Sequence, residues 1–109
     1  MSMTRSHKKV EILIIKLEEN LRQAMLWSSS APSVEDLQSK LPFALDTMTF
    51  EKWLQFVFIP KMSEIVNTQS RLPKKMHLLP MAEQRFGTAD SQSGYMQTIK
   101  QIDLIFAIS

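Results

Sequence analysis

Apolar residues near the start of the chain recur with the spacing of a helix. Intervals of four, three, four and three residues separate Val10, Ile14, Leu17, Leu21 and Ala24. Such intervals place side chains on one face of an α-helix, so the pattern predicts a helix from residue 4 or 6 to residue 27. Ile12 and Ile15 fall outside this face, which indicates that the helix has neighbours on two sides.

The most apolar stretch of the chain covers residues 41–62 and holds five of the nine aromatic residues. Because aromatic side chains dominate the energetics of a small core, we expect the rest of the chain to fold onto this stretch. A long helix is predicted over residues 50–67, apolar nearly all round like a helix in the middle of a bundle. Pro60 interrupts this pattern, but the apolar residues after it keep the phase of those before it. The sequence therefore predicts one continuous helix with a bend at Pro60.

Shorter elements surround the central helix. A helix of one or two turns is expected near residue 34, where a serine precedes an acidic and apolar segment. Residues 68–79 have the composition of a loop. Pro80 is expected at the first position of a helix over residues 81–86, with Gly87 just past its end.

The end of the chain predicts a last helix. Helical spacing recurs in Tyr95, Ile99, Ile102 and Phe106. Asp90 or Ser91 is expected to cap this helix. The sequence thus predicts an all-α fold, a helical bundle of about four main helices with a Pro-kinked central helix and short connecting helices. A chain of 109 residues has the size of one domain, so residues 1–109 are expected to form a single helical-bundle domain.

Composition excludes several classes of protein. The chain has two glycines, which disfavours tight β-hairpins, dinucleotide-binding turns and phosphate-binding loops, since all three depend on glycine. It has no cysteine, and therefore neither disulfides nor thiolate sites. Charges interrupt the apolar N-terminal stretch, unlike a signal peptide, and no run approaches the ~20 apolar residues of a membrane span. We expect a cytoplasmic protein without a membrane segment.

Neither a metal site nor a catalytic centre is indicated. The two histidines, His7 and His77, lie in separate basic segments and are expected to be isolated surface residues. Glu11, Glu18 and Glu19 have the pattern of a solvated helix face. We therefore expect no catalytic residue, no metal and no cofactor, and a protein that is not an enzyme.

One group of candidate binding residues surrounds the predicted bend. It consists of a polar pair within apolar sequence, Asp46 and Thr47, together with Trp53, Pro60 and Lys61. An interior proline costs a helix roughly 3 kcal/mol, so its presence suggests that the irregularity serves a binding groove.

The other group is basic. Arg71, Lys74 and Lys75 lie beside His77 in the predicted loop, where their charges would suit the phosphate groups of RNA. The alternative is a solvated loop that keeps the protein soluble, and the lack of interleaved aromatic residues favours this alternative. A net charge of +2 is too small to imply a nucleic-acid partner by itself.

The central part of the chain resembles a known family. The residues that carry the resemblance are Pro42-Phe43, Asp46-Thr47-Met48, Trp53-Leu54-Gln55, Ile59-Pro60, Met62, Leu72-Pro73 and Pro80. These motifs resemble those of the YqcC-like family, small bacterial proteins of uncharacterised function. The resemblance implies an all-α bundle and a cytoplasmic protein, and it brings no catalytic residues. Members of the family are often encoded beside a tRNA pseudouridine synthase, which suggests by association a connection with RNA modification.

These observations leave two hypotheses about function. The leading one is a non-enzymatic protein-interaction module that binds a protein partner, or a second copy of itself, through a groove near the turn from Asp46 to Trp53 and the bend at Pro60. The alternative is an accessory protein associated with tRNA modification by a pseudouridine synthase, or with RNA binding through the basic loop. A protein partner would depend on apolar anchors, whereas RNA would bind in a strongly salt-dependent manner.

Overall fold

Helices make up the described part of the fold. The computed structural model describes residues 5–38, 48–72, 76–87 and 93–108. Its elements are α1 (Arg5–Gln23), α2 (Val34–Leu37), α3 (Phe50–Trp53), a π-helical segment (Leu54–Phe58), α4 (Ile59–Thr68), α5 (Leu78–Phe86) and α6 (Gly94–Ile108). These ranges contain no β-strand, and the predicted all-α fold is confirmed. Together α3, the π segment and α4 form one continuous run, the central helix.

α1 packs against both α6 and α4. Its buried apolar residues are Val10, Leu13, Ile14, Leu17 and Leu21. Four of them belong to the predicted stripe, and Leu13 is buried beside it. The fifth residue of that stripe, Ala24, is exposed beyond the helix end. Ile12 and Ile15 prompted the prediction of neighbours on two sides, yet each is 56% exposed. The two neighbours of α1 therefore cover its central stripe and leave one edge of the helix bare.

α1 ends at Gln23, a turn earlier than predicted. Met25 takes the left-handed conformation with φ of 60°. The Met25 N–H donates to the Arg22 carbonyl at 3.1 Å, and the Leu26 N–H donates to the Leu21 carbonyl at 2.8 Å. This pair of bonds is common at helix C-termini, where glycine usually occupies the left-handed position. In this chain a methionine with a 90% exposed side chain stands there.

Replacing Met25 by glycine should stabilise the fold. The left-handed conformation is unfavourable for a residue with a Cβ atom, and the exposed side chain contributes little packing. We expect chemical denaturation of Met25→Gly to show a free energy of unfolding about 0.5–1 kcal/mol higher. Met25→Ala keeps the Cβ atom and is the control. An equal gain in both variants would contradict a conformational origin.

The central helix continues through Pro60. Phe58 and Ile59 both have right-handed helical backbone conformations. The irregularity lies just before the proline, where the Ile59 N–H bonds to the Leu54 carbonyl five residues back. Such a widened turn gives room to the proline ring, which in a regular α-helix clashes with the carbonyl four residues earlier. The helix is continuous as predicted, and the angle of the bend stays a prediction.

The spacing of buried residues explains why a π turn suits this helix. Intervals of four residues separate Phe50, Leu54, Phe58, Met62 and Val66, all of which are buried. In a straight α-helix, four residues turn about 40° beyond a full turn, so a strict interval of four drifts off any single face. The π segment has more residues per turn and offsets part of this drift. The whole row of side chains therefore reaches the core.

α5 begins earlier than predicted because a distant carboxylate caps it. The two oxygens of Asp103 on α6 accept hydrogen bonds from the N–H groups of Leu78 at 2.8 Å and Leu79 at 2.7 Å. Pro80 is the third residue of the helix, not the first, and has no N–H group to satisfy. The predicted loop is therefore wrong at its C-terminal end. Gly87 follows α5 as predicted, with φ of 80°.

α6 begins at Gly94 with a serine before it. The Ser93 hydroxyl accepts a long hydrogen bond of 3.4 Å from the Met96 N–H, the geometry of a helix N-cap. The predicted caps, Asp90 and Ser91, lie outside the described residues.

A polar contact fixes α1 against α6. The Asn20 amide lies 2.6 Å from the Thr98 hydroxyl. With its nitrogen toward the carbonyls of Lys16 and Gly94, the amide donates to both at 3.1 Å. A Cβ atom at Gly94 would come within 2.8 Å of this amide. The absence of a side chain there allows the two helices to approach closely.

Candidate functional site

A groove of about 470 Å³ lies along the central helix. Its lining residues are Trp53, Val57, Phe58, Lys61, Met62, Ile65, Arg71 and Met76. Four of them follow one another at intervals of four along the helix, and the segment after α4 supplies Arg71 and Met76. This central groove brings together residues of both candidate groups. Trp53 and Lys61 belong to the group near the predicted bend, and Arg71 belongs to the basic group.

Five further residues were predicted as site residues from the sequence. Pro60 is exposed and does not line the central groove. Asp46, Thr47, Lys74 and Lys75 lie outside the described residues. The proline is thus beside the groove and not part of its lining, and the roles proposed for these five residues stay predictions.

Aromatic stacking fixes the wall of the central groove. The Trp53 ring stacks on Phe50 at a centroid distance of 5.9 Å and on Phe58 at 5.6 Å. Phe58 in turn meets Phe106 of α6 edge-on at 6.4 Å. All three phenylalanines are buried, whereas Trp53 is half-buried. The core therefore holds an aromatic surface in one orientation, which lowers the entropy cost of binding to it.

The rim of the central groove is positively charged. Lys61 and Arg71 are both exposed, and the described residues that line the groove include no carboxylate. The floor is apolar, with Phe58 and Met62 both buried. A ligand with an apolar body and an acidic edge would match both features.

A buried glutamine ties the π segment to the chain after α1. Gln55 is 7% exposed. Its Oε1 accepts from the Ser28 N–H at 2.7 Å, and its Nε2 donates to the Ser28 carbonyl at 2.8 Å. The neighbouring Trp27 packs against the core, with the Arg22 guanidinium 4.6 Å from its ring centre. Trp27 thus covers part of the core.

An ion pair joins the start of the central helix to α5. Arg85 Nε and Nη2 each donate to one carboxylate oxygen of Glu51 at 2.9 Å. Burial by itself would raise the pKa of Glu51. Hydrogen bonds from Arg85, from the Glu51 backbone N–H and from the Thr49 hydroxyl, together with the Arg85 charge, outweigh burial and hold the pKa below its usual value of 4.5.

The Glu51 carboxylate should make stability depend on pH in the acid range. Since its pKa is lower in the folded chain, its stabilisation is fully present above about pH 4.5 and is lost as the pH falls through the folded pKa. We expect the stability difference between the native chain and Glu51→Gln to shrink below that pH. Urea denaturation at a series of pH values measures it.

The partner residue provides the control for this pH dependence. Arg85→Gln should remove the same acid-range dependence, and the double variant should add little to either single change. Parallel stability curves for the native chain and Glu51→Gln down to the most acid pH would contradict a lowered pKa.

His7 is buried, contrary to the prediction of a surface histidine. The residue is 7% exposed, and its ring Nε2 lies 2.6 Å from the Ser70 carbonyl oxygen just past α4. This contact joins the first turns of α1 to the segment that carries Arg71 into the central groove. No local pattern could reveal it, because the two residues are 63 apart in the sequence. His77 is exposed, as predicted.

The described residues contain neither a metal-binding cluster nor a membrane-spanning helix. No group of three or more histidine, aspartate or glutamate side chains among them could hold a metal ion. None of their helices combines the length and the apolar character that crossing a bilayer requires. Each buried side-chain nitrogen or oxygen in the same ranges has a hydrogen-bond partner.

Comparison with known proteins places the chain in a family. A family model described as "DUF446: tRNA pseudouridine synthase C" matches residues 9–105. The chain belongs to this family. An uncharacterized protein of Haemophilus influenzae is 39% identical over 69 residues, which cover 63% of this chain and 65% of that protein. The uncharacterized protein YqcC of Escherichia coli (strain K12) is 29% identical over 103 residues, which cover 94% of each chain.

The YqcC resemblance extends to the fold. The solution NMR structure of YqcC from E. coli superposes with a TM-score of 0.82 at 28% identity, and the match covers 95% of this chain and 90% of that one. The resemblance to the YqcC-like family predicted from the sequence is therefore confirmed.

Another relative is much longer. tRNA pseudouridine synthase C of Pectobacterium carotovorum subsp. carotovorum is 38% identical over 61 residues. These residues cover 56% of this chain but 16% of that protein. Most of the Pectobacterium protein therefore lies outside the match, and its name describes a much larger molecule.

Proposed function

We propose that this YqcC-like protein is a non-enzymatic protein-interaction module that binds its partner through the central groove. The supporting observation is the half-buried Trp53, which stacks on two phenylalanines beside an apolar floor, with Lys61 and Arg71 at the rim. Aromatic anchors in well-packed concave surfaces are typical hot spots of protein interfaces. The two cations would orient a partner that carries acidic residues.

The comparisons favour a tRNA pseudouridine synthase as this partner. In the Pectobacterium relative, a segment similar to this chain is part of a longer protein named tRNA pseudouridine synthase C. The family model carries the same description. Joining two units in one chain keeps them at a high effective concentration, so the same two units on separate chains would need a binding surface to stay together. The central groove is the surface that we propose for this contact.

Titration calorimetry tests this proposal, with the tRNA pseudouridine synthase C of the organism that encodes this chain as the partner. We expect micromolar or tighter binding, weakened roughly three- to tenfold by Lys61→Glu and by Arg71→Glu, because each reversal places a negative charge at the rim. Lys100→Glu reverses an exposed charge on α6 outside the central groove and is the matched control. Absence of binding, or an equal loss in all three variants, would refute the proposal.

RNA binding in tRNA modification is the second candidate function. The observation in its favour is that Arg71 is exposed and that Lys74 and Lys75 follow it closely in the sequence. Phosphate contacts release counterions, so the affinity for tRNA would fall steeply with salt.

Labelled tRNA at two salt concentrations distinguishes the two candidates. We expect weak, non-specific binding that disappears near physiological salt. Joint replacement of Lys74 and Lys75 by glutamine should lower the slope of log affinity against log salt by about one to two units. Submicromolar binding that persists at physiological salt would favour the RNA-binding function over the protein partner.

A further inference from the structure

A second apolar surface lies between α1 and α6. Ile12 and Ile15 are each 56% exposed, and Leu104 is 57% exposed. Ile12 and Leu104 line a groove of about 360 Å³, the α1–α6 groove, whose other lining residues are Lys9, Leu13, Gln101 and Ile105. Single exposed apolar residues are ordinary, but a group of them around a concave surface is typical of an interaction site.

The two helices that form this groove are antiparallel. Asn20, near the end of α1, contacts Gly94 and Thr98 at the start of α6. Leu13, earlier in α1, lines the groove with Ile105, later in α6. Two antiparallel helices with an apolar seam between them offer the surface that a third helix covers in a bundle.

Positive charge surrounds the α1–α6 groove. Lys9 is the charged residue among the described lining, and Lys8 and Lys16 are exposed on the same helix. The acids of α1 are Glu19, which is exposed, and Glu11 and Glu18, which are half-buried, and Glu18 pairs with Arg22. Asp103 on α6 is engaged as the cap of α5 and faces the N–H groups there. The charge of the groove therefore complements an acidic partner and not a basic one.

We propose that the α1–α6 groove docks an amphipathic helix of a partner protein. Its apolar face would cover Ile12 and Leu104, and acidic residues along its edge would pair with Lys9 and Lys16. An apolar helix face at intervals of three and four residues fits a groove of this kind. A second copy of the chain suits the charge less well, because a two-fold contact would add a second set of the same lysines to the interface. This surface is separate from the central groove and does not depend on the function proposed for it.

Two labelled synthetic helices test the apolar and electrostatic parts of this proposal. Both carry leucines at helical spacing, and they differ only in having glutamate or lysine at the flanking positions. In fluorescence anisotropy, we expect the glutamate-flanked helix to bind at least about tenfold more tightly. Replacing Lys9 and Lys16 together by glutamine should remove most of this difference.

Polar substitutions of exposed residues test the location of the groove. Ile12→Ser and Leu104→Ser should each weaken the glutamate-flanked helix by roughly tenfold. Val34→Ser is the matched control, since Val34 is an apolar residue on α2 with 71% of its surface exposed. Because all three side chains are largely exposed, the variants should keep the fold.

Amide chemical shifts of the isotope-labelled protein locate the bound helix. We expect changes along α1 and α6. Changes along the central groove instead would overturn this proposal while leaving the central groove as a binding surface. Failure of the glutamate-flanked helix to bind, or equal affinity for both helices, would also overturn it. So would a dimer that Ile12→Ser disperses, or binding to anionic lipid vesicles that Leu104→Ser abolishes, because each would assign the surface to another occupant.

Discussion

Leu17→Ala should lower the free energy of unfolding by about 2–5 kcal/mol, a large part of the stability of a small domain. Leu17 has no exposed surface and lies on α1, which packs against both α4 and α6. Truncation removes buried apolar surface and leaves a cavity that helices on both sides can close only in part. Chemical denaturation of the purified variant measures the loss.

Ile15→Ala is the matched control for this substitution. It removes a similar aliphatic side chain from the same helix at a position that is 56% exposed. We expect a loss below about 1 kcal/mol, since much of the side chain is already in water. Comparable losses for the two variants would mean that α1 does not present its Leu17 face to the core.

Asp103→Ala should cost about 2–3 kcal/mol, because it removes the acceptor for two backbone N–H groups at once. Both oxygens of the carboxylate are engaged, with the N–H groups of Leu78 and Leu79. Leu78 is fully buried, so water cannot easily replace the lost partner there. The negative charge at the start of α5 also interacts favourably with the helix dipole.

Hydrogen exchange shows whether this loss comes from the cap. Relative to the native chain, the amides of Leu78 and Leu79 should lose more protection in Asp103→Ala than the amides in the middle of α5. Gln101→Ala is the control, because Gln101 is exposed on α6, the helix that carries Asp103. It should change stability by less than about 0.5 kcal/mol and leave both amides protected. A large loss of stability with unchanged protection at residues 78 and 79 would show that Asp103 acts in some other way.

The candidate site was partly predictable from the sequence. Trp53 and Lys61 share one helix, and an interval of eight residues places them near the same face, so local geometry brings them together. Arg71 joins them only because the chain turns back after α4, which periodicity does not encode. The interval of four between buried residues of the central helix was a signal of the π segment, because a regular α-helix cannot keep such a row on one face.

The sequence by itself determined the helices and their apolar faces. Alternation of apolar and polar residues at helical intervals specifies which side of a helix avoids water, and it predicted the buried stripe of α1 and the continuity of the central helix. The YqcC-like motifs, which lie in the central part of the chain, added the family.

Tertiary structure decided how the polar groups pair and which apolar faces stay open. Asp103 caps α5 from 25 residues away, Arg85 pairs with Glu51 across 34 residues, and His7 meets Ser70 across 63. Ile12 lies in an apolar stretch but remains exposed, because burial needs a neighbour as well as an apolar side chain. Helical periodicity describes one helix at a time, whereas these contacts depend on how separate helices pack, and so they appear only in the folded chain.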